Sequence, residues 1–357
     1  MNRYFIYLIL LNMLTNIIIF VPKILMTYRF EGAVLGILIA IPIGLALCFV
    51  FNKAMSKFPE QGLPEILNHF NNRKIKIAIL VCFSCIWFSA GLLSLLGFVD
   101  IVKRFINPEI SEILLAVLFL GAICFVAQLP SQKVMYLIEI ILFINVPLTF
   151  FIVFKAFTSK YFSWDSVFEV GTHIFMRPSF TSIAAATYAY SGYLNLLIIN
   201  RLFKNKIKGK NYFIILFLVI FNLFTTFFIP IGFHGADSVQ EYLYPWISTA
   251  DCLRIVYGPI ERALYIFLML YTSITLLSTS LHWHVAFEFL KGVSREEPSQ
   301  KKKWIIFAIF ICLSIVAEWK INALQLIKIS SYWLNGRFIF EAFVAALLLF
   351  LARRQKT

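Results

Sequence analysis

The sequence predicts an all-α integral membrane protein: ten transmembrane helices in a 5+5 inverted repeat, with both termini cytoplasmic. Three observations predict it. Of 357 residues, 61% are apolar or aromatic and only 14% are charged, where a soluble domain carries about 25% charged residues. The apolar residues form long continuous runs rather than alternating ten-residue strands, which excludes a β-barrel. Ten spans of roughly 22 residues need about 220 apolar positions, close to the apolar share of the chain.

The spans are expected near 4–28, 32–52, 77–101, 111–129, 134–157, 179–200, 211–233, 260–287, 303–319 and 331–352. Span 1 follows Met1-Asn2-Arg3 with no small-residue cleavage site, so it reads as retained rather than as a signal peptide. It carries Asn12, Thr15 and Asn16, then Pro22, whose missing N–H leaves a carbonyl one turn back without its partner. Cys82 and Cys85 lie inside span 3 and read as small core residues; the six cysteines offer no disulfide framework. Glu139 stands near the start of span 5, placed to reach water or to pair with Lys133. The longer connections, 158–178 and 234–259, hold aromatic and acidic residues suited to short interfacial helices.

Span 6 reads Ala184-Ala185-Ala186-Thr187-Tyr188-Ala189-Tyr190-Ser191-Gly192-Tyr193-Leu194-Asn195. Gly192 among hydroxyls is a natural place for a helix to open; close helix packing on small residues is the other reading. In span 7, Asn222, Thr225, Thr226 and Pro230 soften the helix. In span 8, Thr272, Thr275 and Thr279 share one face, beside Ser273 and Ser278. His282 and His284 are two residues apart and point to different faces, a poor metal site. In span 10, Arg337 and Glu341 are one turn apart and are expected to form an internal, structural ion pair.

Charge fixes the orientation. With the N-terminus inside, most of the 32 basic residues fall in the inner connections 53–76, 201–210 and 291–303 and in the tail 353–356. The outer connections collect acids, among them Glu31, Asp100, Glu112, Asp165, Glu169, Asp237 and Glu318. This asymmetry requires an even number of spans. The chain is then one transmembrane domain, 1–357, with a first repeat at about 1–157, a linker at 158–178 and a second repeat at about 179–352. Five spans per half force the second half to enter the membrane inverted, the plan of many secondary transporters, in which the first span of each half is broken at mid-depth. The net charge of +14 belongs to these loops, and no nucleic-acid partner is expected. No nucleophile–base constellation and no phosphate-binding loop appears, so neither an enzyme nor a cofactor is expected.

The segment Phe58-Pro59-Glu60-Gln61-Gly62-Leu63-Pro64-Glu65-Ile66-Leu67, Pro22, the small-residue span 6, the basic loop after it and the Lys/Arg-rich tail together resemble one family over essentially the whole chain. The sequence is similar to the GerAB-like B subunits of germinant receptors, spore germination proteins within the amino acid–polyamine–organocation transporter superfamily. The resemblance implies a LeuT-like fold in the spore inner membrane, a small-molecule nutrient such as an amino acid as ligand, and a germinant-receptor A subunit and C-subunit lipoprotein as partners. It also implies a pocket between spans 1, 3, 6 and 8. Thr15 and Asn16, then Tyr190, Ser191 and Gly192, and the hydroxyls of Thr272, Thr275 and Thr279 are its candidate ligand contacts, with breaks at Pro22 and Gly192. The span 8 hydroxyls either hold Na⁺ or satisfy themselves on their own helix. A secondary amino acid transporter coupled to H⁺ or Na⁺ is the alternative function.

Overall fold

The computed structural model describes residues 2–16, 20–68, 73–204, 207–255, 260–294 and 298–354. Residues 17–19 of the first expected span and the basic residues Lys206, Arg295 and Lys356 lie outside them, as does the side chain of Asn16. The described chain is helical. Its helices are α1 (Asn2–Asn16), α2 (Val21–Thr27), α3 (Ala33–Met55), α4 (Leu63–Asn68), α5 (Arg73–Phe105), α6 (Glu112–Ala127), α7 (Ser131–Phe157) and α8 (Trp164–Gly171). They continue as α9 (Phe180–Thr187), a 3-10 stretch (Tyr188–Asn195), α10 (Leu196–Ile199), α11 (Gly209–His234), α12 (Pro245–Cys252), α13 (Ala263–Val293), α14 (Gln300–Lys320) and α15 (Ala323–Arg354).

Unbroken apolar runs fold this way because a bilayer leaves no solvent partner for a backbone N–H or C=O, and a helix satisfies both internally. Serine marks several starts. Ser111, Ser163, Ser179 and Ser299 cap α6, α8, α9 and α14 by accepting from the amide three residues on.

Among the described residues, 7 helical segments are long and apolar enough to cross a membrane: α3, α5, α7, the run 180–202, α11, α13 and α15. Three expected spans fall on other helices. The span at 4–28 is divided between α1 and α2, that at 111–129 is the 16-residue α6, and that at 303–319 is α14, which carries Lys301, Lys302, Lys303, Glu318 and Lys320. The connections 158–178 and 234–259 contain the short helices α8 and α12.

Large apolar side chains lie open on the outer faces, among them Phe125, Phe143, Phe154, Phe213 and Phe217. A surface of this kind is stable against lipid and not against water, and the protein is an integral, multi-pass membrane protein. Inside, α5 and α13 pack along each other. Gly91 makes that approach possible, since a Cβ there would stand 2.6 Å from Trp283 Cδ1.

The basic connections gather at one end of the bundle. Arg201 pairs with Glu65 at 2.8 Å and with Glu288 at 2.5 Å, and Lys291 pairs with Glu288 at 3.0 Å. Lys57 donates to the Ala352 carbonyl at 3.3 Å at the same end. Glu139 pairs with Arg3 at 3.0 Å rather than with Lys133, because α1 and α7 are neighbours. At the opposite end Lys103 meets Glu112 at 2.8 Å, and the Tyr244 hydroxyl donates to Asp100 at 2.7 Å. Burial, then the Asp100 carboxylate, holds the Tyr244 hydroxyl well above its ordinary pKa.

Candidate functional site

The site is built where the run 180–202 stops being an α-helix. α9 ends at Thr187, and Tyr188–Asn195 winds on as a tighter 3-10 turn before α10 resumes. A 3-10 turn shifts each N–H one carbonyl forward. The Tyr188 N–H accordingly bonds the Ala185 and Ala186 carbonyls and leaves the Ala184 carbonyl to others. Thr187 Oγ1 donates to it at 2.9 Å, and Arg337 Nη2 donates to it from α15.

Further side chains complete the stretch. Asn12 Nδ2 of α1 donates to the Tyr188 carbonyl at 2.5 Å. Asn195 Nδ2 donates to the Gly192 carbonyl at 3.1 Å, and Asn195 Oδ1 accepts from Trp87 Nε1 of α5 at 2.8 Å. Gly192 is required by contact: a Cβ built there would lie 2.2 Å from the Leu8 carbonyl oxygen and 2.7 Å from Ile9 Cα. Any larger residue would push α1 off the 3-10 stretch.

Arg337 and Glu341 form the expected ion pair, with side chains 3% and 0% exposed. Ser191 lies between them, accepting from Arg337 Nη1 at 2.6 Å and donating to Glu341 Oε2 at 3.1 Å. Arg337 Nε and Glu341 Oε1 are buried with no hydrogen-bond partner among the described residues. A buried pair of this kind costs several kcal/mol of desolvation per ion. Ionised groups at membrane depth are therefore functional candidates by default.

A cavity of about 30 Å³ opens beside the 3-10 stretch, bordered by Asn12, Trp87, Tyr188, Ser191, Asn195, His282, Trp333 and Arg337 among others. It draws on α1, α5, the 3-10 stretch, α13 and α15. The volume is about the share of one water in the liquid, too small for a larger solute. His282 Nδ1 lies 2.7 Å from the Ser278 carbonyl. A carbonyl only accepts, so Nδ1 carries the proton and Nε2 is left free to accept. His284, by contrast, uses Nδ1 on the Ala127 carbonyl at 3.0 Å and Nε2 on Ser131 at 2.8 Å.

The expected site residues distribute as follows. Ser191 borders the cavity, with Gly192 and Tyr190 in the same 3-10 stretch. The Tyr190 ring lies over Gly44 of α3, where a Cβ would stand 2.2 Å from its Cδ2. Thr15 donates to the Leu11 carbonyl at 2.9 Å and borders a second small cavity with Tyr188, Ser330 and Trp333. Asn16 is the last residue of α1, with its side chain outside the described residues. Pro22 is in the first turn of α2, where its missing N–H removes nothing a helix uses, so it opens the second piece of the divided span.

Thr272 donates to the Leu268 carbonyl at 2.7 Å. Thr275 and Thr279 are buried with no partner for their hydroxyls among the described residues, and neither borders the central cavity. The residue of α13 that does is His282, three positions beyond Thr279 on the same helical face. Trp87, Asn195, His282, Trp333 and Arg337 were absent from the sequence-based set. Of these, Arg337 and His282 carried a signal, each a titratable group inside an apolar span.

The profile of the spore germination protein family matches residues 2–321. No curated protein matches the chain. The family match covers nearly the whole bundle, from the first residue of α1 to the end of α14 and every helix that borders the cavity except α15. This multi-pass membrane protein belongs to the spore germination protein family.

Proposed function

We propose that the chain is the nutrient-sensing membrane subunit of a spore germination receptor, binding a small nutrient such as an amino acid in the central cavity. The observation that carries this reading is the contact of α1 at Leu8 with the non-α stretch at Gly192, beside a cavity lined from five elements. Half-helix ends and unwound backbone at mid-depth are what transporter folds use to bind solutes. The arrangement proposed with it is ten spans in two inverted repeats, about 1–157 and 179–352 around the linker 158–178, with both termini cytoplasmic. A germinant-receptor A subunit and a C-subunit lipoprotein in the spore inner membrane are its partners.

A cavity of about 30 Å³ admits no nutrient, so binding selects a wider state. A ligand shifts that equilibrium only by its difference in affinity for the two states. Spores carrying Ser191→Ala test the reading. The substitution removes the hydroxyl that joins Arg337 and Glu341, and the nutrient dose needed for germination rises at least about tenfold, the equivalent of about 1.4 kcal/mol. An unchanged dose response in spores with normal amounts of the protein sinks it.

The second reading is a secondary transporter coupled to H⁺ or Na⁺, a class that binds its solute at the same kind of unwound backbone at mid-depth. Solute flux in proteoliposomes holding the chain alone separates the two readings.

A further inference from the structure

The ion pair has two differently situated partners. Arg337 borders the central cavity; Glu341 does not. The carboxylate instead faces α3 and the 3-10 stretch, where the Tyr193 hydroxyl is beside it and Cys48 is near. Glu341 Oε1 and the hydroxyls of Tyr190 and Tyr193 are buried without hydrogen-bond partners among the described residues. Asn52, whose Nδ2 reaches Cys48 Sγ at 3.6 Å, also borders a cavity of about 250 Å³ at the basic end of the bundle, with Asn200 and Lys204. Unsatisfied polar atoms thus lead from Glu341 towards water, on the side away from the central cavity.

Charge arithmetic turns this into a function. Arg337 and Glu341 sum to zero. A carboxylate added alone would put two anions on one guanidinium in a low-dielectric site, and a proton added alone would leave Arg337 uncompensated. For a ligand whose carboxylate has no cationic group of its own to balance it, both together restore the balance: the ligand carboxylate takes Arg337, and Glu341 becomes a neutral acid. Each event therefore favours the other, by the same factor in both directions. The titratable and charged groups facing Glu341 are Arg337 on its own helix, Tyr193 on the 3-10 stretch and Cys48 on α3. From α5 the neighbours of this turn of α15 are the rings of Phe83 and Trp87, packed on Phe340. None of the described residues bordering the central cavity is an acid, so among them the site offers a cation to an anionic group and no carboxylate to a cationic one.

We propose that Arg337 seats the carboxylate of the ligand and that Glu341 takes up one proton when it binds. The proton comes from water in the 250 Å³ cavity by way of the Tyr193 hydroxyl, and ends on Glu341 Oε1. The proposal rests on the central cavity being the nutrient site.

The test uses the purified full-length chain. Its thermal midpoint is followed with the twenty protein amino acids, acetate, lactate, glucose and inosine, and with the carboxamide of each stabilising acid. A carboxylate compound is expected to stabilise and its carboxamide not to. Its affinity is then measured against pH. The bound state holds one more proton than the free state, so affinity rises as pH falls, by up to about tenfold per pH unit.

Glu341→Gln is expected to bind with no pH slope, and Arg337→Lys to bind at least about tenfold more weakly. Should Arg337→Lys fail to fold, the wild-type slope and Glu341→Gln still decide. A flat wild-type profile, a slope that survives in Glu341→Gln, or one lost instead in His282→Gln overturns the proton assignment. Equal binding of acid and carboxamide, or binding of glucose or inosine alone, overturns the carboxylate assignment and leaves the nutrient site standing. If nothing in the panel binds, the proposal and the nutrient-site reading fall together.

Discussion

The Cα of Gly192 faces the Leu8 carbonyl so closely that a Cβ built there would lie 2.2 Å from the oxygen. The atom in the way is backbone, so no rotamer change relieves the clash. Gly192→Ala is expected to displace α1 and to destabilise the protein by about 1–3 kcal/mol, as overpacking of a tight interior does. Chemical denaturation of the purified protein in detergent measures this. A variant as stable as the parent would show that α1 moves freely over the 3-10 stretch.

Asn195 serves two groups at once, the Trp87 Nε1–H and the Gly192 carbonyl. Asn195→Ala leaves the indole N–H without its acceptor at a buried position and is expected to cost about 1–3 kcal/mol. Adding Trp87→Phe to Asn195→Ala then costs less than Trp87→Phe alone, because the indole N–H has already lost its partner. Additive values in the double-mutant cycle would mean that the two side chains do not interact.

Arg201 ties three elements together at the basic end, holding Glu65 of α4 and Glu288 of α13 from the end of the run 180–202. The Arg201 side chain is 26% exposed, Glu65 40% and Glu288 11%, so the effect stands between that of a surface pair and a buried one. Arg201→Ala is expected to lower stability by about 1–2 kcal/mol. Part of the difference should vanish in high salt, since the charges are partly screened. Melting curves at low and high ionic strength check both statements, and a loss that does not respond to salt would count against the electrostatic account.

Much of the bundle was legible because lipid imposes one rule on every span. Long apolar runs marked α3, α5, α7 and α11 closely, and α13 and α15 less closely, since α13 runs on to Val293 and α15 begins at Ala323; the one-turn spacing of Arg337 and Glu341 announced their pairing. The site was legible only where the signal was local. Gly192 and Ser191 stood out because their own neighbours are small or hydroxylic. Asn12, Trp87 and Asn195 act through contacts between segments far apart in the chain, and each looks unexceptional inside its own helix. On α13 the sequence pointed to the face shared by Thr272, Thr275 and Thr279. His282 lies on that face too, but depth along a helix is set by its neighbours and cannot be read from periodicity. Pro22 looked like an interruption, and it stands in the opening turn of α2, just past the division of the first expected span.

The backbone of residues 184–195 is completed by side chains of α1 and α15 and by its own Thr187 and Asn195. This has a consequence for how the protein is made. The run 180–202 is the least apolar of the seven long segments and the most deeply enclosed, so it gains least from entering lipid by itself. Its Arg partner is supplied by α15, which is synthesised well after it. Until α15 arrives, the Ala184 carbonyl lacks its cationic donor and Ser191 lacks both charged partners. A nascent chain halted before residue 323 would hold a half-finished span in the bilayer, an open substrate for membrane proteases. The arrival of α15, rather than the insertion of the run 180–202 by itself, is what completes this span.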